Sequence, residues 1–113
     1  MTDVRAYLRF LPISAQKVRM VLDEIRGKDA NHAMEMLRFI PNRAAGPVSK
    51  VLASAIANAE ENFGVSRDDL FVATVTADEA PTRKWRRFGA RGRFKPLLRR
   101  SSHITVILRE RGA

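Results

Sequence analysis

Residues 83 to 100, RKWRRFGARGRFKPLLRR, carry nine basic side chains and no carboxylate. No packed core can take them in, because an ionised side chain is buried only against a partner. The segment must therefore leave whatever domain the rest of the chain builds. That rest is balanced, with twelve basic and twelve acidic residues, so the whole formal excess of +9 sits in one internal stretch. Such a block repels itself and attracts a polyanion, of which nucleic acid is the commonest in a cell. Trp85, Phe88 and Phe94 interrupt the charge and distinguish the segment from a merely solvated basic loop.

The flanks read as a folded domain. Val4, Ala6, Leu8 and Phe10 alternate against Arg5, Tyr7 and Arg9, the period of a half-buried strand. Ser14 stands as N-cap to a helix over Ala15 to Arg26, with Val18, Val21, Leu22 and Ile25 inward and Gly27 as its stop. Asp29 caps a second helix over Ala30 to Phe39, with Ala33, Met36, Leu37 and Ile40 inward and Pro41 ending it. Met20, Met34 and Met36 are expected to fill core or rim gaps. A third, central helix presents Val48, Val51, Leu52, Ala55, Ile56, Ala59 and Phe63 on one face and stops at Gly64. Its start is open between Asn42, which leaves Pro47 inside the second turn, and Pro47 itself as first residue. Strands follow over Leu70 to Ala77 and over HITVILRE, where Ile104, Val106 and Leu108 alternate against Thr105 and Ile107.

The basic segment joins these last two strands. Neither of its faces is apolar, and Gly89 and Gly92 provide for a turn. The expectation is a long β-hairpin with its base on the sheet and its arms outside the domain, each ten to twelve residues and roughly 30 to 40 Å long. Pro96 is expected to leave the returning arm unpaired or bulged. An isolated two-stranded hairpin is marginal in water, so an external partner must order this one. RNA offers phosphates to the cations and base faces to the aromatic rings. A reader of duplex DNA is the competing idea, but no dimerisation heptad or helix-turn-helix signature accompanies the arm.

Enzyme chemistry finds no support. There is no cysteine, and His32 and His103 stand alone in their segments, His103 being more plausible as an RNA contact at the hairpin base. The adjacent pairs Asp23-Glu24, Glu60-Glu61, Asp68-Asp69 and Asp78-Glu79 diverge on a helix or strand and make no metal site. No phosphate-binding loop, dinucleotide fingerprint or zinc-protease motif occurs, so no cofactor, metal or small-molecule substrate is expected. The length fits a single domain over residues 1–113, with a globular part (1–82 and 101–113) and an arm at about 83–100. Without an apolar leader or span it is expected to be cytoplasmic and free of membrane.

Five segments, SAQKVRMVLDEIRGK (Ser14 to Lys28), SAIANAE (Ser54 to Glu60), DEAP (Asp78 to Pro81), ARGR (Ala90 to Arg93) and RRSSHITVIL (Arg99 to Leu108), stand in this order along nearly the whole chain. Together they resemble the bacterial large-subunit ribosomal protein twenty-two family. The resemblance implies an α+β fold of three helices packed on a small three-stranded antiparallel sheet, with a long protruding basic β-hairpin. It also implies binding to 23S rRNA near the peptide exit, among neighbouring large-subunit ribosomal proteins, with the hairpin running along the tunnel wall. The family usually has glycine at Ala80, arginine at Trp85, proline at Phe88, arginine at Gly89 and a non-proline residue at Pro96, so this hairpin is an unusual version whose local contacts differ.

The candidate rRNA-binding residues on the arm and its base are Arg83, Lys84, Trp85, Arg86, Arg87, Phe88, Arg91, Arg93, Phe94, Lys95, Arg99, Arg100 and His103. Lys17, Arg19, Arg26 and Lys28 on the first helix read equally as a solvated face or an RNA contact, and the resemblance assigns them to RNA. Phe88, Gly89, Ala90, Arg91, Gly92 and Arg93 form the turn, which the resemblance sets beside the nascent polypeptide. Two function classes result: a structural RNA-binding protein of the large subunit, or a free-standing basic nucleic-acid-binding module.

Overall fold

Three apolar helix stripes and one alternating sheet face close on each other as two layers. The computed structural model describes residues 3–80, 83–88 and 94–111, and of 83–88 and 94–99 the backbone. In chain order the elements are β1 (Asp3–Leu11), α1 (Ala15–Ile25), α2 (Ala30–Phe39), α3 (Ala45–Phe63), β2 (Leu70–Glu79), β3 (Arg83–Phe88), β4 (Phe94–Arg99) and β5 (Ser102–Glu110), with a 3-10 turn at Arg67–Asp69. β1, β5 and β2 form an antiparallel sheet in that order, and β3 and β4 pair as a separate two-stranded ribbon. The fold is therefore α+β, as expected. Its radius of gyration is 17.2 Å and its long axis 64 Å, whereas a compact chain of this length would have a radius of about 13 Å.

The core lies between the helices and one face of the sheet. Val18, Leu22 and Ile25 of α1, Ala33 and Leu37 of α2, and Val48, Leu52, Ala55, Ile56 and Ala59 of α3 are buried against Val72, Val75, Ile104, Val106 and Leu108. The alanines of SAIANAE let α3 lie close to β1, β5 and α2. Met20, expected to fill a core or rim gap, is 64% exposed, and Phe63, expected on the inward face of the third helix, is 51% exposed. Met34 does pack against the core, and Ile40 with it.

Bulges explain where the strand reading slipped. In β1 the register shifts between Leu8 and Leu11, so Val4 and Ala6 are buried, then Leu11, while Phe10 points outward at 60% exposure. Phe10 takes a positive φ of 56°, which costs a residue with a Cβ about 1–2 kcal/mol. In β2 the shift falls between Val72 and Thr74, and burial passes from Leu70 and Val72 to Val75 and Ala77. One extra residue reverses which side chains meet the core.

The third helix starts at neither candidate. It begins at Ala45, and Pro47 sits third, where the missing N–H is one of those left free at any helix start. Asn42 instead accepts the Ala44 N–H at 2.9 Å, forming the turn that precedes the helix. Ser14 and Asp29 do occupy the N-cap positions of α1 and α2, without a side-chain capping bond.

The ribbon corrects another expectation. Its ladder runs from Arg83↔Arg99 to Phe88↔Phe94 and passes through Arg86↔Pro96 with no register shift. In a two-stranded ribbon every second N–H points outward, and a proline at such a position removes no ladder bond.

At the root of the ribbon the fold is tied tightly. Ser102 is fully buried, and its hydroxyl donates to the Ile13 carbonyl at 2.9 Å. The Ala80 N–H donates to the Ser101 carbonyl at 3.0 Å. Ser102→Val is expected to destabilise the domain by about 1–3 kcal/mol, the effect of leaving a buried carbonyl without its donor. Urea unfolding would read it, and a loss below about 0.5 kcal/mol would show the bond to be dispensable.

Candidate nucleic-acid interface

β2 is an edge strand, and edges expose unpaired backbone groups. Here the first helix and its linker cover them. The Gly27 N–H donates to the Val72 carbonyl at 2.9 Å and the Val72 N–H to the Lys28 carbonyl at 2.8 Å. Beyond the bulge, Arg26 donates from Nη2 to the Val75 carbonyl and Arg19 from Nε to the Ala77 carbonyl, each at 3.0 Å. Gly27 reaches this position with φ of 80°, a conformation glycine adopts freely.

Arg19 and Arg26 thus have a task inside the fold. Arg26 also pairs with Asp23. Each guanidinium has five N–H donors, so neither arginine is exhausted by these bonds. Lys17 and Lys28 are exposed. Lys17 differs from the other three, because it opens onto a cleft.

That cleft, about 510 Å³, lies between the β1–α1 turn, the Asn42–Arg43 loop and the root of the ribbon. Lys17, Arg43 and Arg100 line it, against the single carboxylate of Glu79. Three exposed cations from three separate parts of the chain converge where β4 meets β5. Arg43 is a cleft residue that the sequence does not single out. Nothing in NRAAGP marks it, since only the fold brings that loop to α1.

The ribbon register bears on the charge. Arg83 is opposite Arg99 and Arg87 is opposite Lys95, and like charges at directly opposed positions destabilise a strand pair. Counter-charge from outside would relieve that repulsion. Gly89, Ala90, Arg91, Gly92 and Arg93 of the turn lie outside the described residues. For Arg83, Lys84, Trp85, Arg86, Arg87, Phe88, Phe94, Lys95 and Arg99 the structure gives backbone register alone.

His103 lies on the outer sheet face. Its Nδ1 accepts the Phe10 N–H at 3.0 Å, and the two rings meet edge to face at 4.7 Å. The acidic side chains are occupied within the fold or scattered: Asp3 pairs with Arg109, Glu60 with Arg67 and Asp29 with Arg111. The Arg109 hydrogen bond holds the Asp3 carboxyl below its ordinary range. Among the described residues no group of three or more His, Asp or Glu is placed to hold a metal, and no helix is long and apolar enough to cross a membrane.

The profile of the family described as ribosomal protein L22p/L17e matches residues 6–109. A large ribosomal subunit protein uL22 from Thermoanaerobacter sp. (strain X514) is 50% identical over 109 residues, covering 96% of this chain and 98% of the relative. Its counterpart in Desulfosudis oleivorans is 48% identical over 113 residues, covering 100% of this chain and 98% of the relative. That of Finegoldia magna is 46% identical over 109 residues, covering 96% and 97%. With a profile match and near-half identity both running almost end to end, the chain belongs to the ribosomal protein L22p/L17e family, whose members are structural, non-enzymatic components of the ribosome.

Proposed function

We propose that this chain works in the cytoplasm as one domain of the large ribosomal subunit, where it binds 23S rRNA, bridges rRNA segments and contacts neighbouring ribosomal proteins. Residues 83–100 line the nascent-peptide exit tunnel, and the turn from Phe88 to Arg93 borders the polypeptide passing through it. The observation that supports this reading best is the continuity of positive charge. Lys17, Arg43 and Arg100 surround a cleft at the ribbon root, and the ribbon continues from it with like charges opposed across its ladder. A ribbon of this kind is stabilised by phosphate on its flanks.

A salt titration tests the reading. With six to nine cations each neutralising one phosphate, log affinity for a 23S rRNA transcript should fall against log salt with a slope of roughly −4 to −8. Deleting residues 84–99 and joining the strand ends should flatten the slope while the domain stays folded. An unchanged slope would move the main binding surface to the helices. In a sucrose gradient the intact protein should travel with large subunits through a moderate salt wash, which a free-standing module would not do.

A further inference from the structure

The three helices cover one face of the sheet and leave the other open. At one corner of that open face the β1 bulge sets two residues, Arg9 and Phe10, against the single His103 of β5. The bulge takes the Phe10 N–H out of the ladder, and His103 Nδ1 supplies its acceptor at 3.0 Å. An imidazole that accepts at Nδ1 carries its proton on Nε2 when neutral, and Nε2 has no partner among the described residues.

Tyr7 is 54% exposed and Phe10 60% exposed, and with Arg9, His103 and Thr105 they line an open groove of about 310 Å³. An aromatic ring held outward in a strained backbone is an expensive way to decorate a surface. Its neighbours indicate what would cover it. Arg5 and Arg9 share the outward face of β1 with Tyr7, and Asp78, opposite His103 on β2, is the carboxylate nearest in register. The outward face thus carries two cations, Arg5 and Arg9, beside a small aromatic cluster, with Ile107 as its one half-buried aliphatic neighbour on β5. Open sheets that present aromatic rings in this way stack unpaired bases.

We infer that Tyr7, Phe10 and His103 form a second RNA site, separate from the ribbon, which stacks one or two unpaired nucleobases of rRNA while Arg9 takes an adjoining phosphate. This rests on the proposed binding to 23S rRNA. Phe10 and Tyr7 offer ring faces, and His103 offers Nε2–H to a base edge.

The signature is a loss of affinity without a change of salt slope, because stacking releases no counterions. Phe10→Gly removes the ring and suits the positive φ, so the bulge is retained, and Tyr7→Leu keeps an apolar strand residue. Each should weaken binding to the 23S rRNA transcript by about 5- to 150-fold with the slope preserved. Phe10→Trp should bind as the wild type does. Ultraviolet cross-linking of intact large subunits should place nucleotides on the tryptic peptides Ala6–Arg9 and Phe10–Lys17.

Wild-type affinity in both ring-deleted variants, with the normal slope in the parent, would overturn this site and leave the ribbon reading standing. Normal RNA binding combined with failed subunit entry would also overturn it, in favour of a protein neighbour on this face. Absence of RNA binding by the parent protein would remove both readings.

Discussion

Replacing Arg86, Arg87, Arg99 and Arg100 together with glutamate is expected to lower affinity for 23S rRNA by on the order of 10³-fold or more, since like charges set against phosphate cost several kcal/mol. The protein should then be missing from large subunits. The ribbon itself should not suffer. Its register sets residue 99 opposite Arg83 and residue 87 opposite Lys95, so reversal exchanges two repulsive cross-strand pairs for two attractive ones. A variant whose ribbon is better paired and whose binding is worse separates recognition from folding. Bulky replacements at Ala90 or Gly92 form the contrasting set: these should enter the subunit and alter the passage of some nascent peptides. Subunit occupancy by mass spectrometry decides between arm and turn, and equal failure of the two sets would end this division of labour.

Leu52→Ala should have the largest effect on stability. Leu52 is fully buried on α3, the helix that packs against α2, β1 and β5. Truncating a buried leucine costs about 2–5 kcal/mol, more where the surroundings cannot collapse into the space. Val48, Ala55, Ile56 and Ala59 on the same face of the helix are also buried, and the alanine methyls are too short to move into the space. The upper half of that range is expected, with the thermal midpoint falling by roughly 10 to 20 °C. Calorimetry or urea titration checks it, and a loss under about 1 kcal/mol would mean that the core repacks freely.

The elements were legible because their periods are clean. Val18, Val21, Leu22 and Ile25 could belong only to a helix face, and Ile104, Val106 and Leu108 only to a strand face. On the strands the departures from plain alternation share one physical origin, an irregularity of a single residue. Burial passing from Val72 to Val75 was written in the sequence as two apolar residues an odd number apart, yet a strand drawn straight through it hides the change. Phe10 falls in phase with Val4 and Ala6 along the sequence and faces outward for the same reason. For the candidate site, the nine cations of the arm could be read directly, since charge without counter-charge has few uses. Arg43 could not, because a loop residue acquires meaning only from what the fold brings beside it. The tasks of Arg19 and Arg26 on the β2 edge were likewise invisible, as backbone carbonyls leave no trace in a sequence.

Ser102 has a mechanical consequence. A ribbon of six residue pairs is about 20 Å long, so a rotation of about 5° at its root carries its far end by roughly 2 Å, enough to break a hydrogen bond. The hydroxyl that joins Ser102 to Ile13 therefore acts as a sighting screw between the β1–α1 turn and the root of the ribbon. Loosening it would spread the ribbon's aim over a cone without removing a single cation from it.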